Sequence, residues 1–177
     1  MKKTFLWASI VALFLCSCEK KWVESVRLIP QADHVNIGKG SVALAHLKSI
    51  QIPEGWGMAA SNFMGDVEKT LGLSVHAADD GASIRVEQSD QLPSEAYTLD
   101  ISRKGVRIVA SDFRGACNGL TTLHQLMLTA VEAKLPVLSV QDEPLYGYRS
   151  LMLDCSRHFW TVENLKYPMN SNGDDFG

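Results

Sequence analysis

Apolar and polar residues alternate most cleanly between Ser83 and Ala110. Ile84 and Val86 are interleaved with Ser83, Arg85 and Glu87, and Tyr97, Leu99 and Ile101 with Thr98, Asp100 and Ser102. Val106, Ile108 and Ala110 continue the same spacing. A period of two puts every second side chain on one face, so these segments predict strands with one buried side. Arg103-Lys104-Gly105 turns the chain between the last two, which predicts a hairpin and an antiparallel sheet around it. The period then lengthens to that of a helix. Phe113, Ala116, Cys117, Leu120, Leu123, Met127, Ala130 and Val131 fall on one stripe of a helix running from about Phe113 to Glu132, with Asp112 as its N-cap. Gly115 and Gly119 sit inside that helix, where each costs about 1 kcal/mol relative to alanine. Such a cost points to a close approach between helix and sheet. His124 borders the stripe and reads as a partly buried, hydrogen-bonded histidine.

Upstream, Val26–Ile29 and Val35–Ile37 predict short strands, and Ile50 and Ile52 mark a third that stops at Pro53. Phe63, Met64, Val67 and Leu71 recur at helical spacing from Met58 to Leu71, with Gly72 as the C-cap. Ser74–Ala77 is a further short strand, and Asp79-Asp80-Gly81 a turn. Downstream, Val137, Leu138 and Val140 predict a strand between Pro136 and Pro144. There is no internal repeat. The order β-β-β-α-β-β-β-β-α-β predicts an α+β fold, a mainly antiparallel sheet covered by two helices.

Composition agrees with a packed fold: 46% of the 177 residues are hydrophobic and 21% charged. The formal charge is −3 with no basic run, which argues against nucleic acid as a partner. The first residues belong to a leader. Lys2 and Lys3 precede an apolar stretch from Thr4 to Leu15 that is too short to span a bilayer, and Leu15-Cys16-Ser17-Cys18 resembles a bacterial lipobox. Cys18 fits the lipidated position because small Ser17 precedes it, whereas Leu15 before Cys16 does not. The expected organisation is a signal peptide at 1–17, a charged tether at 18–25, an α+β domain at 26–143, a further segment at 144–167 and an irregular tail at 168–177. A lipid on Cys18 would hold the protein on a membrane of the bacterial cell envelope without spanning it. Loss of residues 1–17 removes two lysines and takes the formal charge from −3 to −5. Cys117 and Cys155 would remain, and both read as buried thiols.

Residues 151–160, LMLDCSRHFW, carry the densest chemistry. Tyr148 to Arg157 reads as extended and mostly apolar: Leu151, Leu153, Cys155 and Arg157 share one face, and Met152, Asp154, Ser156 and His158 share the other. Apolar residues on both faces predict a strand buried on both sides, as in a parallel barrel, where functional groups sit at the C-terminal strand ends. Arg157 would stand at that lip. Its guanidinium can fork onto vicinal sugar hydroxyls or a carboxylate, or it can pair with Asp154 and hold the lip together. A Ser-His-Asp triad is excluded, because side chains two apart on a strand run parallel instead of converging. Cys155 and His158 are two metal ligands on opposite faces, too few for a zinc site. No cofactor is implied.

The stretch YGYRSLMLDCSRHFWTVENLK (146–166) resembles the start of the catalytic barrel of the family-20 glycoside hydrolases, the β-N-acetylhexosaminidases. Their first barrel strand reads Arg-Gly-x-x-x-Asp-x-Ser-Arg-His-Phe/Tyr, met here by Arg149, Asp154, Ser156, Arg157, His158 and Phe159, with Ser150 in place of Gly. The segment YTLDISRKGVRIVASDFRGACNGLTTLHQLM (97–127) resembles the family's N-terminal α+β domain, whose last helix carries the glycines and the Thr-Leu-x-Gln-Leu met by Gly115, Gly119, Thr122, Leu123, Gln125 and Leu126. The resemblance implies that Arg157 binds the hydroxyls of a terminal N-acetylhexosamine, with Asp154 and His158 supporting the lip of the site. It also implies a retaining, substrate-assisted hydrolysis of glycans ending in β-linked GlcNAc or GalNAc. There the acetamido oxygen attacks the anomeric carbon, an Asp orients the acetamido group and the neighbouring Glu is the general acid. That Asp-Glu pair has no counterpart among the 177 residues; Asp142-Glu143 precedes the barrel segment and matches by letter only. A (β/α)8 barrel takes eight strand–helix units and about 250 residues. The chain carries one strand and a partial helix, which opens near Val162 and meets Pro168, so it reads as truncated and inactive alone. The alternative is a non-catalytic, membrane-tethered domain that binds glycan or acts as a scaffold, with Trp22, Trp56 and Trp160 as the few aromatic residues free to stack on sugar.

Overall fold

The computed structural model describes residues 26–150 together with Met152, Phe159, Thr161 and Val162. They fall into two units, divided between Pro144 and Leu145. The first contains β1 (His34–Ala43), a 3-10 turn (Leu44–His46), β2 (Ser49–Gln51), α1 (Gly57–Leu71), β3 (His76–Ala77), β4 (Ile84–Gln88), β5 (Tyr97–Ser102), β6 (Gly105–Ala110), α2 (Phe113–Leu128) and β7 (Lys134–Asp142). The strands form one sheet in the order β1-β7-β5-β6-β4-β2-β3.

The first helix, the start of the second, the hairpin, the Asp112 cap and the Gly72 C-cap are where the residue pattern puts them. The sheet itself is mixed, which corrects the expectation of a mainly antiparallel one. β1, β7, β5 and β6 pair antiparallel, whereas β6, β4, β2 and β3 pair parallel. The cause of the difference is the one-sided cover. Parallel strands usually read as unbroken apolar runs because helices bury both faces. Here the described helices lie on a single face, so parallel β4 also alternates, with Ile84 and Val86 buried and Arg85 exposed. α1 supplies the crossover that lets β2 and β4 run in the same direction.

Val26–Ile29 forms no strand. Instead Gln125 on α2 holds this segment by its main chain: the Ile29 N–H donates to Gln125 Oε1 and Gln125 Nε2 donates to the Ile29 carbonyl, both at 3.0 Å. α2 also ends at Leu128, short of Glu132. Glu132 and Ala133 take left-handed conformations (φ 54° and 55°) in a tight turn into β7, which the continuing apolar spacing of Ala130 and Val131 does not reveal. β7 runs through Pro136, which has no N–H to give. The partner strand adapts: Ile37 faces Leu138 and Ser41 faces Pro136, so Gly38, Lys39 and Gly40 together oppose Val137. This bulge bends edge strand β1 and breaks the row of main-chain groups it would otherwise offer to another chain.

The core lies between the helices and one sheet face. Phe63 and Val67 of α1 and Ala116, Leu120, Leu123 and Met127 of α2 bury against Ile84, Val86, Leu99, Ile101, Val106, Ile108, Leu138 and Val140. Each large side chain withdrawn from water in this way contributes about 1.5–3 kcal/mol. The glycines in α2 account for how closely the layers pack. A Cβ at Gly115 would stand 2.5 Å from the Ala96 carbonyl oxygen, and one at Gly119 2.8 Å from Ile108 Cγ2. The same end of α2 is fixed by Asp112. Its carboxylate accepts from Gly115 N–H (2.8 Å), Ser94 Oγ (2.8 Å) and Glu95 N–H (3.0 Å), joining the helix start to the loop before β5. Partial burial works against its charge, but these hydrogen bonds and that of the Arg114 N–H outweigh it and hold the carboxyl below the ordinary aspartate range.

In the second unit, Arg149 Nη1 donates to the Tyr146 carbonyl at 2.7 Å. Of the barrel strand expected from Tyr148 to Arg157, Tyr148, Arg149, Ser150 and Met152 are described; none of them lies in a strand and Tyr148 and Met152 are exposed, and the other residues lie outside the described ones. No helix among the described residues is long and apolar enough to cross a membrane.

Two predictions follow from the seating of α2. Gly115→Ala should destabilise the chain by roughly 1–3 kcal/mol, because the obstacle is main chain and cannot swing aside. Gly65→Ala in α1, where nothing lies within 4 Å of the added carbon, should instead gain up to about 1 kcal/mol. Denaturant midpoints of the two variants should move in opposite directions; a shared direction would mean that α2 does not touch the sheet at Gly115. Asp112→Ala should cost about 1 kcal/mol at neutral pH. Because the folded carboxyl is held low, its stabilisation is complete above the unfolded value and lost as pH falls through the folded one. The stability gap between parent and variant should therefore persist down to about pH 4 and close in stronger acid.

Candidate functional site

The residues that the sequence nominates for chemistry, Asp154, Arg157 and His158, lie outside the described residues, as do Cys155, Ser156 and the nominated lipid site Cys18. Phe159, the last residue of the same motif, is described and is 86% exposed. The polar constellations of the first unit can be followed atom by atom.

An open groove of about 530 Å³ lies on the outer face of the sheet, across β1, β7 and β5. Asp33, His34, Asn36, Thr98, Asp100, Ser139 and Gln141 line it, and no Phe, Tyr or Trp does. These side chains point outward because their strand neighbours Leu99, Leu138 and Val140 point into the core. The groove offers donors and acceptors but no stacking surface for a sugar ring. Trp56 does not supply one either. It caps α1 at its N-terminus and packs into the core at 9% exposure, which corrects its reading as a free aromatic. Farther along the same face Arg107 Nε and Nη2 clasp the Glu87 carboxylate, with the shortest contact at 2.6 Å. The Arg107 hydrogen bond holds Glu87 below the usual carboxylate range. Both side chains remain nearly half exposed, so the pair is worth about 0–1 kcal/mol.

Three polar arrangements, each with at least one buried member, hold the layers together. Tyr97 Oη lies 2.6 Å from Thr122 Oγ1 and donates to Asp142 Oδ2 at 3.3 Å, while Asp142 Oδ1 accepts from the Asp33 N–H at 3.2 Å. Burial pushes the Tyr97 hydroxyl far up, the Thr122 hydrogen bond opposes this, and the Asp142 charge adds to it, so the phenol stays neutral. His124 is buried, and its Nε2 lies 2.8 Å from Thr70 Oγ1, as expected of a hydrogen-bonded histidine. The Thr70 hydroxyl gives its single proton to the Asp66 carbonyl at 2.7 Å, so the His124 nitrogen donates and joins α2 to α1. Glu95, buried with φ 66°, pairs with Arg114 Nη1 at 3.0 Å and gives its carbonyl to Asn118 Nδ2. Cys117 is a half-buried free thiol whose pKa burial raises, which disfavours the thiolate form.

Among the described residues no three His, Cys, Asp or Glu side chains are grouped to hold a metal ion. Asp112 caps a helix, Glu87 and Glu95 pair with arginines and Asp142 braces β7, while Asp33, His34 and Asp100 line the open groove. Residue spacing gave no warning of the Gln125 clamp or the Tyr97–Thr122–Asp142 set. Both join segments far apart in the chain through side chains that a helical or strand period treats as ordinary polar positions.

Comparison with known proteins supplies what this geometry does not. The profile of glycosyl hydrolase family 20, domain 2, matches residues 25–143. The β-hexosaminidase of Porphyromonas gingivalis is 31% identical over 119 residues, 62% of this chain and 15% of that protein. The β-hexosaminidase of Vibrio furnissii is 30% identical over 148 residues, 82% of this chain and 24% of its own length. Among solved structures, the family-20 exo-β-N-acetylglucosaminidase of Vibrio harveyi, in complex with N-acetylglucosamine, superposes with a TM-score of 0.75 at 25% identity, covering 82% of this chain and 23% of that one. The chain thus spans less than a quarter of the length of these relatives. With the profile covering two thirds of its residues and the fold shared with that enzyme, the chain belongs to glycosyl hydrolase family 20 and carries the family's domain 2.

Proposed function

We propose that the chain is the N-terminal portion of a lipid-anchored β-N-acetylhexosaminidase that removes terminal β-linked GlcNAc or GalNAc from glycans. One observation carries this reading: the family-20 domain over residues 25–143 runs directly into Arg149 and the Asp154-x-Ser156-Arg157-His158-Phe159 motif. Relatives named β-hexosaminidase and N,N′-diacetylchitobiase support the substrate class.

In this reading the domain at 26–143 is the support and residues 144–167 open the catalytic barrel. Arg157 forks onto hydroxyls of the terminal sugar, and Asp154 and His158 support the lip of the site. The reaction is retaining: the substrate's acetamido oxygen displaces the leaving group, and water then opens the resulting ring. An Asp to orient the acetamido group and a Glu to protonate the leaving oxygen are required, and residues 1–177 do not provide that pair. These residues by themselves are therefore inactive. Cys18 carries the lipid after residues 1–17 are removed, placing the domain at a membrane face of the bacterial envelope.

Purified 18–177 should release no nitrophenol from nitrophenyl-GlcNAc. An antibody against residues 83–110 should detect in envelope fractions a native product several times heavier than 177 residues, and that product should turn the substrate over. Arg157→Ala in it should lower kcat/KM by roughly tenfold to a hundredfold or more, since each charge-assisted hydrogen bond lost is worth about 1.5–3 kcal/mol. Turnover by 18–177 that vanished with Arg157→Ala would overturn the assignment of inactivity. A native product of only 177 residues without activity would overturn the enzymatic reading. Cys18→Ser should abolish incorporation of labelled palmitate and release the protein from membranes, whereas Cys16→Ser should change neither; labelling that survives Cys18→Ser would move or remove the anchor.

A further inference from the structure

We propose that the Asp80-Gly81 turn is a site of spontaneous isoaspartate formation, a modification of the main chain that the fold leaves open. The turn joins β3 to β4, both residues are exposed, and neither belongs to a strand. The Gly81 N–H donates to Asp80 Oδ1 at 2.7 Å, so the amide nitrogen already lies against the side-chain carboxyl of the residue before it. Nothing stands within 4 Å of the place a Gly81 Cβ would occupy. Holding the reacting groups of one chain in contact turns a slow encounter into a unimolecular step.

The chemistry needs no partner but water. With the carboxyl in its neutral form, the Gly81 nitrogen attacks Asp80 Cγ. The N–Cγ bond forms, the bond from Cγ to hydroxyl breaks, and the hydroxyl leaves with the amide proton as water. The product is a five-membered succinimide. Water then adds back. Attack at Cγ restores aspartate. Attack at the Asp80 main-chain carbonyl breaks its bond to the Gly81 nitrogen and leaves the chain running through Cγ, with the former main-chain carboxyl as a side group. One water leaves and one returns, so mass and oxidation state are unchanged.

Four other positions in the first unit are held by regular structure or a cap. Asp112 is committed to the α2 cap, Asp66 lies within α1 before Val67, and Asp100 lies within β5 before Ile101. Asn118-Gly119 has the same small neighbour but is held inside α2, with Asn118 Nδ2 bonded to the Glu95 carbonyl at 3.0 Å. Next to the reactive pair, Gln51 Nε2 donates to the Asp79 carbonyl at 2.8 Å and the Ala78 N–H to the Ile50 carbonyl at 2.9 Å. These contacts confine the added main-chain atom to the turn.

The test is to age the folded chain at growth temperature in mildly acidic buffer and map its peptides with an isoaspartyl methyltransferase. Isoaspartate should accumulate at Asp80 ahead of every other aspartate, and Gly81→Ala should slow it several-fold. Asp80→Asn closes the same ring with loss of ammonia, so its turn peptide should gain the mass of a deamidation while Asn118 does not. The proposal fails if Asp80 gains no more isoaspartate than its fellows, or if Gly81→Ala leaves the rate unchanged. It also fails if a free peptide of residues 76–88 reacts many times faster than the folded protein, since the turn would then protect the bond it is proposed to expose.

Discussion

The contact on which the first unit depends is the approach of α2 to β5 and β6 at two positions without side chains. Gly115 meets the Ala96 carbonyl and Gly119 meets Ile108 and Tyr97, so the helix axis comes closer to the sheet than any residue with a Cβ would let it. Everything else that α2 does follows from that height. Leu120, Leu123 and Met127 reach the buried sheet face. Thr122, one turn beyond Gly119, comes within 2.6 Å of the Tyr97 hydroxyl. His124 meets Thr70 on α1, and Gln125 catches the segment before β1. A helix raised by one methyl group would strain these contacts together, because they share a single rigid element. The two glycines lower helix propensity by about 1 kcal/mol each, and the burial they permit is several times larger.

The second constraint is that the described helices cover one side of the sheet. One face is sealed, and the other carries Thr98, Asp100, Arg107, Arg85, Glu87, Ser139 and Gln141 in water. This arrangement is compatible with strands of either direction, which is why a sheet half parallel and half antiparallel still reads as alternating throughout. It also bears on function. The outer face is broad and polar, yet its best-formed interaction is an exposed ion pair and its groove has no aromatic wall. A surface of this kind is what a half-buried sheet needs to remain in water.

Much of this was legible from residue order, and the exceptions have one character. The period-two runs located β4, β5 and β6. The helical stripes located α1 and α2, Asp112 located the cap, and the cost of Gly115 and Gly119 pointed to the close approach. Each of these signals is local. What escaped was set by partners distant in sequence: the parallel neighbours of β4, the coil of Val26–Ile29 on Gln125, and the bulge that β1 makes because β7 carries Pro136. The left-handed pair Glu132 and Ala133 escaped for another reason, since neither is a residue that favours such a turn. As for the site, the resemblance of residues 146–166 to a barrel strand named Asp154, Arg157 and His158, and the family match over 25–143 is independent of those residues.

The Asp142 carboxylate shows how such a domain can serve as a support. One oxygen accepts from the Asp33 N–H, where the chain enters β1, and the other from Tyr97, whose ring is seated under α2. Asp142 is also the last residue of β7, so the beginning and end of the seven-stranded fold are joined through a single side chain. A fold whose ends meet sends its two chain connections out from one place. Tyr97 makes that junction stiff: its phenol is buried and neutral, and turning it away would leave Thr122 and Asp142 without a buried partner at a cost of about 1–3 kcal/mol. The rigidity that begins with two glycines under α2 is in this way carried to the point where the chain leaves the domain.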